Sequence, residues 1–350
     1  SNFAATPHAV ADQGPEADER IQNLAYRSDE VLSNVAAFAV IADPHYYDPD
    51  LGTTGAAFEA YLAQDRKMLL EGPAILDAAV EAIQSHGNIR FVIVPGDLTK
   101  DGEKTSHEKF AARMQALEDQ GIAVYVVPGN HDINNPHAFA YGGDVQTPTE
   151  TVSPEDFARI YEPFGYGEAL FRDPGSLSYI VEPSPGLWLF ALDSADYGDN
   201  MAEGHPETGG GFSTATLEWI AGKLAEARNS GKRVMAMMHH GIIEHYTGQA
   251  APGSLAEDYV IRDWENVSKT LAQEGLGLVF TGHFHAQDIA EKTWNENGET
   301  LRLTDVETGS LVTWPSPYRV VTLTSGGSAV SIESNRITEI EGETGGVPFP

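Results

Sequence analysis

An α/β core closed by antiparallel C-terminal strands is the fold this sequence predicts, on two observations. From residue 36 to residue 283, short apolar runs alternate with windows of helical periodicity, as strand–helix–strand units do. From about Asp288 to Ile340 the helical windows stop, and short alternating segments replace them. At 350 residues, 41% of them hydrophobic and 21% charged, the chain is long and apolar enough for a large core.

The elements follow in order. "AAFAVIAD" (36–43) reads as a buried strand. "PAILDAAVEAIQSHG" (73–87) reads as a helix, with Pro73 near its start and Gly87 just past its end. Strand 89–97, helix 104–121 and strand 122–130 come next, then a strand over 186–193. "STATLEWIAGKLAEARNSG" (213–231) is a helix with core-facing spacing and Ser213 as its cap, so the preceding "GGG" (209–211) reads as a lead-in rather than a phosphate cradle. Strand 232–240, helix 262–275 and strand 276–283 complete the alternating part. No internal repeat interrupts it. Residues 1–34 are expected to be a polar N-terminal arm, in which 5–20 reads as a disordered terminus, a linker or an exported protein's leading arm; 35–340 is the main domain and 341–350 a tail.

Composition excludes several functions. Twenty-one Lys+Arg against 52 Asp+Glu give a formal charge of −31, which repels polyanions and argues against binding long nucleic acid. With no cysteine, disulfides, thiolate metal sites and a Cys nucleophile are all excluded. No apolar run is long enough to span a bilayer. No signal peptide is visible, and a chain starting at Ser1 is compatible with a removed leader, so the compartment stays open.

What singles the chain out is how its strands end. Asp43 and His45 follow the first, Asp97 the second, and Asn130, His131 and Asp132 the third. His239 and His240 end a fourth, His283 and His285 a fifth. Parallel strands present ligands at their carboxyl ends, so five such ends can meet at one crevice. Taken singly, D-x-H is usually a surface loop, "GDLT" a turn with a cap, and "HH" a solvated or satisfied pair. All five in order, each just past an apolar run, point to metal chemistry. Oxygen and nitrogen donors without sulfur suit Mn, Fe or Zn. The candidates outnumber one coordination sphere, so two divalent or trivalent transition-metal ions are expected, with Asp97 able to bridge them. In an extended D-x-H segment Asp43 and His45 lie on the same side and can reach one ion.

These motifs, D-x-H, G-D-x-x, G-N-H-D, H and G-H-x-H, resemble those of the calcineurin-like metallophosphoesterases, and the text around the first two is most similar to the bacterial cyclic-nucleotide phosphodiesterase branch. The resemblance implies a four-layer α/β/β/α sandwich of two mixed sheets with a dinuclear site at their edges. It also implies one metal held by Asp43, His45, Asp97 and His285, and another by Asp97, Asn130, His239 and His283. His131 would then face substrate as acid or charge stabiliser, with Asp132 orienting its ring. Many members carry H-H-P or H-x-P where this chain has Gly241, which leaves His239 against His240 open, with His239 preferred because it completes the strand.

The function expected is hydrolysis of a small phosphodiester, such as a cyclic nucleotide, by attack of a metal-bridging hydroxide. Phosphomonoesterase or protein phosphatase activity shares that chemistry. A non-catalytic metal protein would be expected to have lost His131 and Asp132, and both are present. His205 and His245, on Gly-rich loops, are candidate substrate contacts. His86, His107 and His137 lack a partner pattern, and Asp101, Glu103 and Asp144 read as solvated charges.

Overall fold

The computed structural model describes residues 17–22, 37–296, 298–323, 329–342 and 349. The first half carries strands β1 (Ala17–Gln22), β2 (Ala37–Val40), β3 (Ile89–Pro95), β4 (Ala123–Val127), β5 (Phe139–Gly142), β6 (Val145–Pro148), β7 (Phe171–Arg172) and β8 (Tyr179–Ser184). Between them lie helices α1 (Ala56–Leu62), α2 (Gly72–Ser85), α3 (Lys104–Glu118) and α4 (Pro154–Ile160). The second half adds β9 (Leu187–Leu192), β10 (Arg233–Met238), β11 (Leu278–Thr281), β12 (Asp288–Glu296), β13 (Glu299–Glu307), β14 (Pro317–Leu323) and β15 (Ala329–Arg336). Its helices are α5 (Asn200–Glu203), α6 (Thr214–Asn229) and α7 (Trp264–Gln273).

Two large sheets result. One runs β1-β15-β14-β2-β3-β4, the other β12-β13-β11-β10-β9-β8-β7, and β5 and β6 form a separate hairpin. Within the first, β2, β3 and β4 are parallel; within the second, β9, β10, β11 and β13 are. The C-terminal strands β12, β14 and β15 are antiparallel additions, as the change of pattern after residue 288 predicts.

Period-two alternation decides the layers. Leu189, Ala191, Met235, Met237 and Phe280 point into a core shared with the first sheet. Their neighbours Trp188, Phe190, Val234, Ala236 and Met238 pack with Ile220 and Leu224 of α6 and Leu271 of α7. On the first sheet, α2 supplies Ile75, Leu76 and Ala79, and α3 supplies Phe110 and Met114. Phe38 spans the seam: it stacks on Phe91 at 4.7 Å and meets Phe280 of the other sheet edge-on at 5.3 Å. The four layers are therefore helix, sheet, sheet, helix, the sandwich the resemblance implies.

Register places the site. Pro95 pairs with Val127, and Met238 with Leu192, so the carboxyl ends of neighbouring parallel strands finish level. Each regular strand stops before the polar residues the sequence puts at its end, leaving them on the loops beyond. One expectation changes. Inside the arm at 1–34, Ala17–Gln22 is an edge strand antiparallel to β15, because edge pairing needs only backbone groups. The remainder of that arm, and most of the tail at 341–350, lie outside the described residues. Among the described residues no helix is long and apolar enough to cross a membrane.

Because Phe38 is fully buried where the sheets meet, Phe38→Ala should cost about 3–5 kcal/mol. Urea unfolding would read this as a lower midpoint at unchanged m; a loss under 1 kcal/mol would mean the seam does not depend on this ring.

Candidate active site

Past the strand ends the backbone turns left-handed. Asp43, His45, Asp97, His283 and His285 have φ of 46°, 38°, 50°, 70° and 59°. Such φ is uncommon for non-glycine residues and costs on the order of 1–3 kcal/mol each, so the surroundings must enforce it. The D-x-H pair is therefore not the extended segment expected from alternation; a turn, not the pleat, brings Asp43 and His45 together. Cross-loop hydrogen bonds hold these turns. The His45 amide donates to the Asp97 carbonyl (3.0 Å), the His131 amide to Asp97 Oδ1 (2.9 Å), and the His283 amide to Asp43 Oδ1 (3.0 Å). Space is left for the carboxylates by glycine: a Cβ on Gly129 would collide with Asp97, and one on Gly282 with Asp43.

Two donor sets result, sharing one carboxylate. Donor atoms of Asp43, His45, Asp97 and His285 lie within 4.8 Å of one another, and so do those of Asp97, His239 and His283. In the first, the Nε2 atoms of His45 and His285 face each other at 3.0 Å, with carboxylate oxygens 3.6 Å away. In the second, His239 Nε2 stands 3.3 Å from Asp97 Oδ2 and 3.0 Å from Asn130 Oδ1. Imidazole nitrogens turned on each other and on carboxylates form a donor set for cations, and the residues fit two metal ions on that chemistry. Backbone carbonyls fix the rings: His239 Nδ1 lies 2.9 Å from Pro95 O, and His283 Nε2 3.3 Å from Asp258 O. Each leaves the opposite nitrogen for a ligand. Burial pushes the His45 and His283 pKa values well below the ordinary range, giving the neutral imidazoles that metals require. Burial alone would raise Asp97, but His239 and His131 hold it well below the usual carboxylate range.

His131 stands beside the sets, with Nε2 4.0 Å from Asp97 Oδ2. Its Nδ1 lies 2.7 Å from the Lys100 carbonyl and 2.9 Å from Asp101 Oδ1. Here the structure corrects the sequence reading. Asp132 does not orient His131; its carboxylate accepts from the amides of Leu98, Thr99 and Gly129 and from the Thr99 hydroxyl. It braces one loop against the next. The group facing the ring is Asp101, expected to be solvated but buried, as is Glu103. Both carboxylates contact Lys100, whose ammonium is sealed beneath the rings of Tyr61 (4.2 Å), Tyr47 (5.5 Å) and Tyr141 (5.6 Å). Asp144 is exposed, as expected.

The other histidines divide by surroundings. His240 turns away from the donor sets: Nδ1 meets Ser194 Oγ at 2.8 Å and Nε2 the Thr208 carbonyl at 2.9 Å, while a Cβ on Gly210 would strike the ring. His239 is thus the member of the pair that joins a donor set, and the glycine run at 209–211 makes room for His240. Ser213 caps α6. His107 is buried between Tyr161 Oη and the Asp132 carbonyl, a structural role. His205 is exposed, with the Pro206 carbonyl 3.3 Å from its ring nitrogen. His245 is buried among carboxylates instead of lining a pocket: Nδ1 is 2.8 Å from Asp288, and Nε2 3.5 Å from Asp305 and from Glu307. Sequence reasoning also passed over Lys67, nearly buried beside Asp65 at 3.3 Å; its charge lowers the pKa of His45 and pulls on His131 and Asp101.

Comparison with known proteins agrees with this geometry. The family model described as calcineurin-like phosphoesterase matches residues 36–287. A manganese-dependent ADP-ribose/CDP-alcohol diphosphatase from Arabidopsis thaliana is 24% identical over 267 residues, 71% of this chain and 79% of the relative. Among solved structures, a dimetal phosphatase from Danio rerio superposes with a TM-score of 0.54 at 15% identity, covering 85% of this chain and 98% of its own.

The carboxylates around His245 generate a pH dependence. Burial opposes its charge, but Asp305, Asp288 and Glu307 outweigh burial and raise its pKa to about 10. A raised histidine contributes stability in full below its unfolded pKa of about 6.5 and loses it as pH climbs through 10. His245→Gln should therefore cost about 3 kcal/mol at pH 6, with the gap closing by pH 10.5. Urea melts across that range check it; a gap constant with pH would show that His245 only fills space.

Proposed function

The chain belongs to the calcineurin-like phosphoesterases, metal-dependent phosphoric ester hydrolases working with two metal ions, and from this we propose that it hydrolyses small phosphodiesters or diphosphates. The observation carrying the proposal is the pair of donor sets joined at Asp97 with His131, anchored but uncommitted, beside them. We assign one ion to Asp43, His45, Asp97 and His285, and the other to Asp97, Asn130, His239 and His283. When bound, the ions supply Lewis acidity, bringing the pKa of water toward neutrality and offsetting phosphoryl charge.

The chain's own residues do the rest. His131, its Nδ1 fixed by Asp101 and the Lys100 carbonyl, presents Nε2 to the cluster as proton donor or charge stabiliser for the departing oxygen. Lys100 and Glu103 fix Asp101 in turn. Lys67, paired with Asp65, adds positive charge to the field around His131, where the net charge of −31 is otherwise repulsive to phosphate. The same surface disfavours long nucleic acid, which needs a basic track. A diphosphate substrate is supported by the Arabidopsis relative's name, and a cyclic nucleotide by the motif resemblance.

The decisive assay compares metal-loaded protein on bis-p-nitrophenyl phosphate, p-nitrophenyl phosphate, ADP-ribose, 2′,3′- and 3′,5′-cyclic nucleotides, and long DNA and RNA at equal phosphate. Small diesters or diphosphates should be cleaved and polymers scarcely; faster cleavage of a long strand overturns the proposal. Elemental analysis after Mn loading should find two ions per chain, falling below one in Asp97→Asn.

Variants then separate the roles. His131→Ala should keep both ions and lower kcat by about 10²–10⁴-fold. Asp101→Asn should also keep the ions while shifting the pH profile of kcat, whereas Asp132→Asn should act mainly on stability. Metal loss in His131→Ala would reassign that residue as a ligand.

A further inference from the structure

Beside the donor sets lies a group of aromatic rings that neither core nor metal chemistry uses. Phe284 sits in the chain between His283 and His285. Tyr259 tilts against the His283 ring at 4.6 Å and meets Phe284 edge-on at 4.9 Å; Tyr246 lies 6.4 Å from Phe284 on the outer side. Tyr246 is 49% exposed, and Tyr259 and Phe284 are half-buried, so π surface next to the candidate metal centre remains open to solvent. We propose that Tyr246, Tyr259 and Phe284 form a stacking subsite for the nucleobase, or a comparable planar heteroaromatic ring, of the substrate. This rests on the reading of the chain as a hydrolase of small phosphoesters.

The backbone that carries Tyr259 is held in place before any ligand arrives. The Gly241 amide donates to the Tyr259 carbonyl at 2.9 Å, and the Ile261 amide to the Gly241 carbonyl at 3.0 Å, stitching this segment to the end of β10. Asp258 O meets His283 Nε2, so the segment that carries Tyr259 also fixes a candidate ligand. His245, the residue directly before Tyr246, is locked among Asp288, Asp305 and Glu307. Charge favours a neutral ring as the part recognised. With 52 acidic residues against 21 basic ones, affinity for the organic portion of an anionic substrate comes more readily from aromatic faces than from cations.

The test compares two substrates with the same diphosphate, a nucleoside diphosphate–alcohol and its counterpart lacking the base, on metal-loaded wild type, Tyr246→Ala and Tyr246→Phe. Wild type should prefer the base-bearing substrate. Tyr246→Ala should raise its KM about tenfold, the scale of one base–aromatic stack, with kcat and the base-free substrate little changed. Tyr246→Phe should keep the wild-type KM. Calorimetry with nucleoside 5′-monophosphate and ribose 5-phosphate gives a readout independent of turnover. Tighter nucleotide binding by wild type, lost in Tyr246→Ala, supports the subsite even if no diphosphate is cleaved, in which case the proposed activity fails alone. Equal affinity for both monophosphates, or a Tyr246→Ala effect that is the same with and without the base, overturns the subsite.

Discussion

The arrangement depends on a single buried carboxylate. Asp97 belongs to both donor sets, accepts the His131 amide on Oδ1, and lends its carbonyl to the His45 amide. An isolated carboxylate in that position would be costly, and the site answers chiefly with the imidazoles of His239 and His131. Because those imidazoles come from separate strand ends, the demand for charge compensation at one atom pair fixes the relative position of several loops. The left-handed turns at five of the ligand candidates and the missing side chains at Gly129 and Gly282 are what that demand costs locally.

Next to this lies a second buried charge system, built around an ammonium. Lys100, capped by three tyrosines and flanked by Asp101 and Glu103, has its pKa raised although burial alone would lower it; the carboxylates outweigh desolvation. Glu103 is pushed up by burial, while Asp101 is held low by Lys100 and His131. The polar network therefore hands a fixed acceptor to His131 Nδ1. Such a network is either fully satisfied or a liability, which explains why so many hydrogen bonds converge on this short stretch.

Much of this was legible from residue order. Apolar runs that end in Asp, His or Asn mark both the parallel strands and the chemistry at their tips, because strand ends are where a parallel sheet exposes donors. The four layers follow from the alternation of runs and helical windows together with the family likeness. What could not be read was partnership across distance. Asp101 and Glu103 look solvated in "KDGEK" because the tyrosines that bury their lysine, Tyr47, Tyr61 and Tyr141, lie far away in sequence on either side. His245 reads as a loop histidine because its carboxylates come from β12 and β13, more than forty residues further along the chain. Asp132 was adjacent to His131 in sequence and was given a role that spatial neighbours assign to Asp101. Local pattern reports which residue types are present; it does not report which way a side chain turns after a left-handed residue.

The division of ligand candidates between the two sheets has a consequence for the protein's lifetime. Asp43, His45, Asp97 and Asn130 follow strands of the first sheet, while His239, His283 and His285 follow strands of the second. Ions held there act as rivets through the seam, and free ion at 100 times its dissociation constant adds about 2.7 kcal/mol to the folded state. Starving the protein of metal then does more than silence it. Loss of the ions would make separation of the sheets easier and would open the chain to proteolysis through the larger population of opened forms.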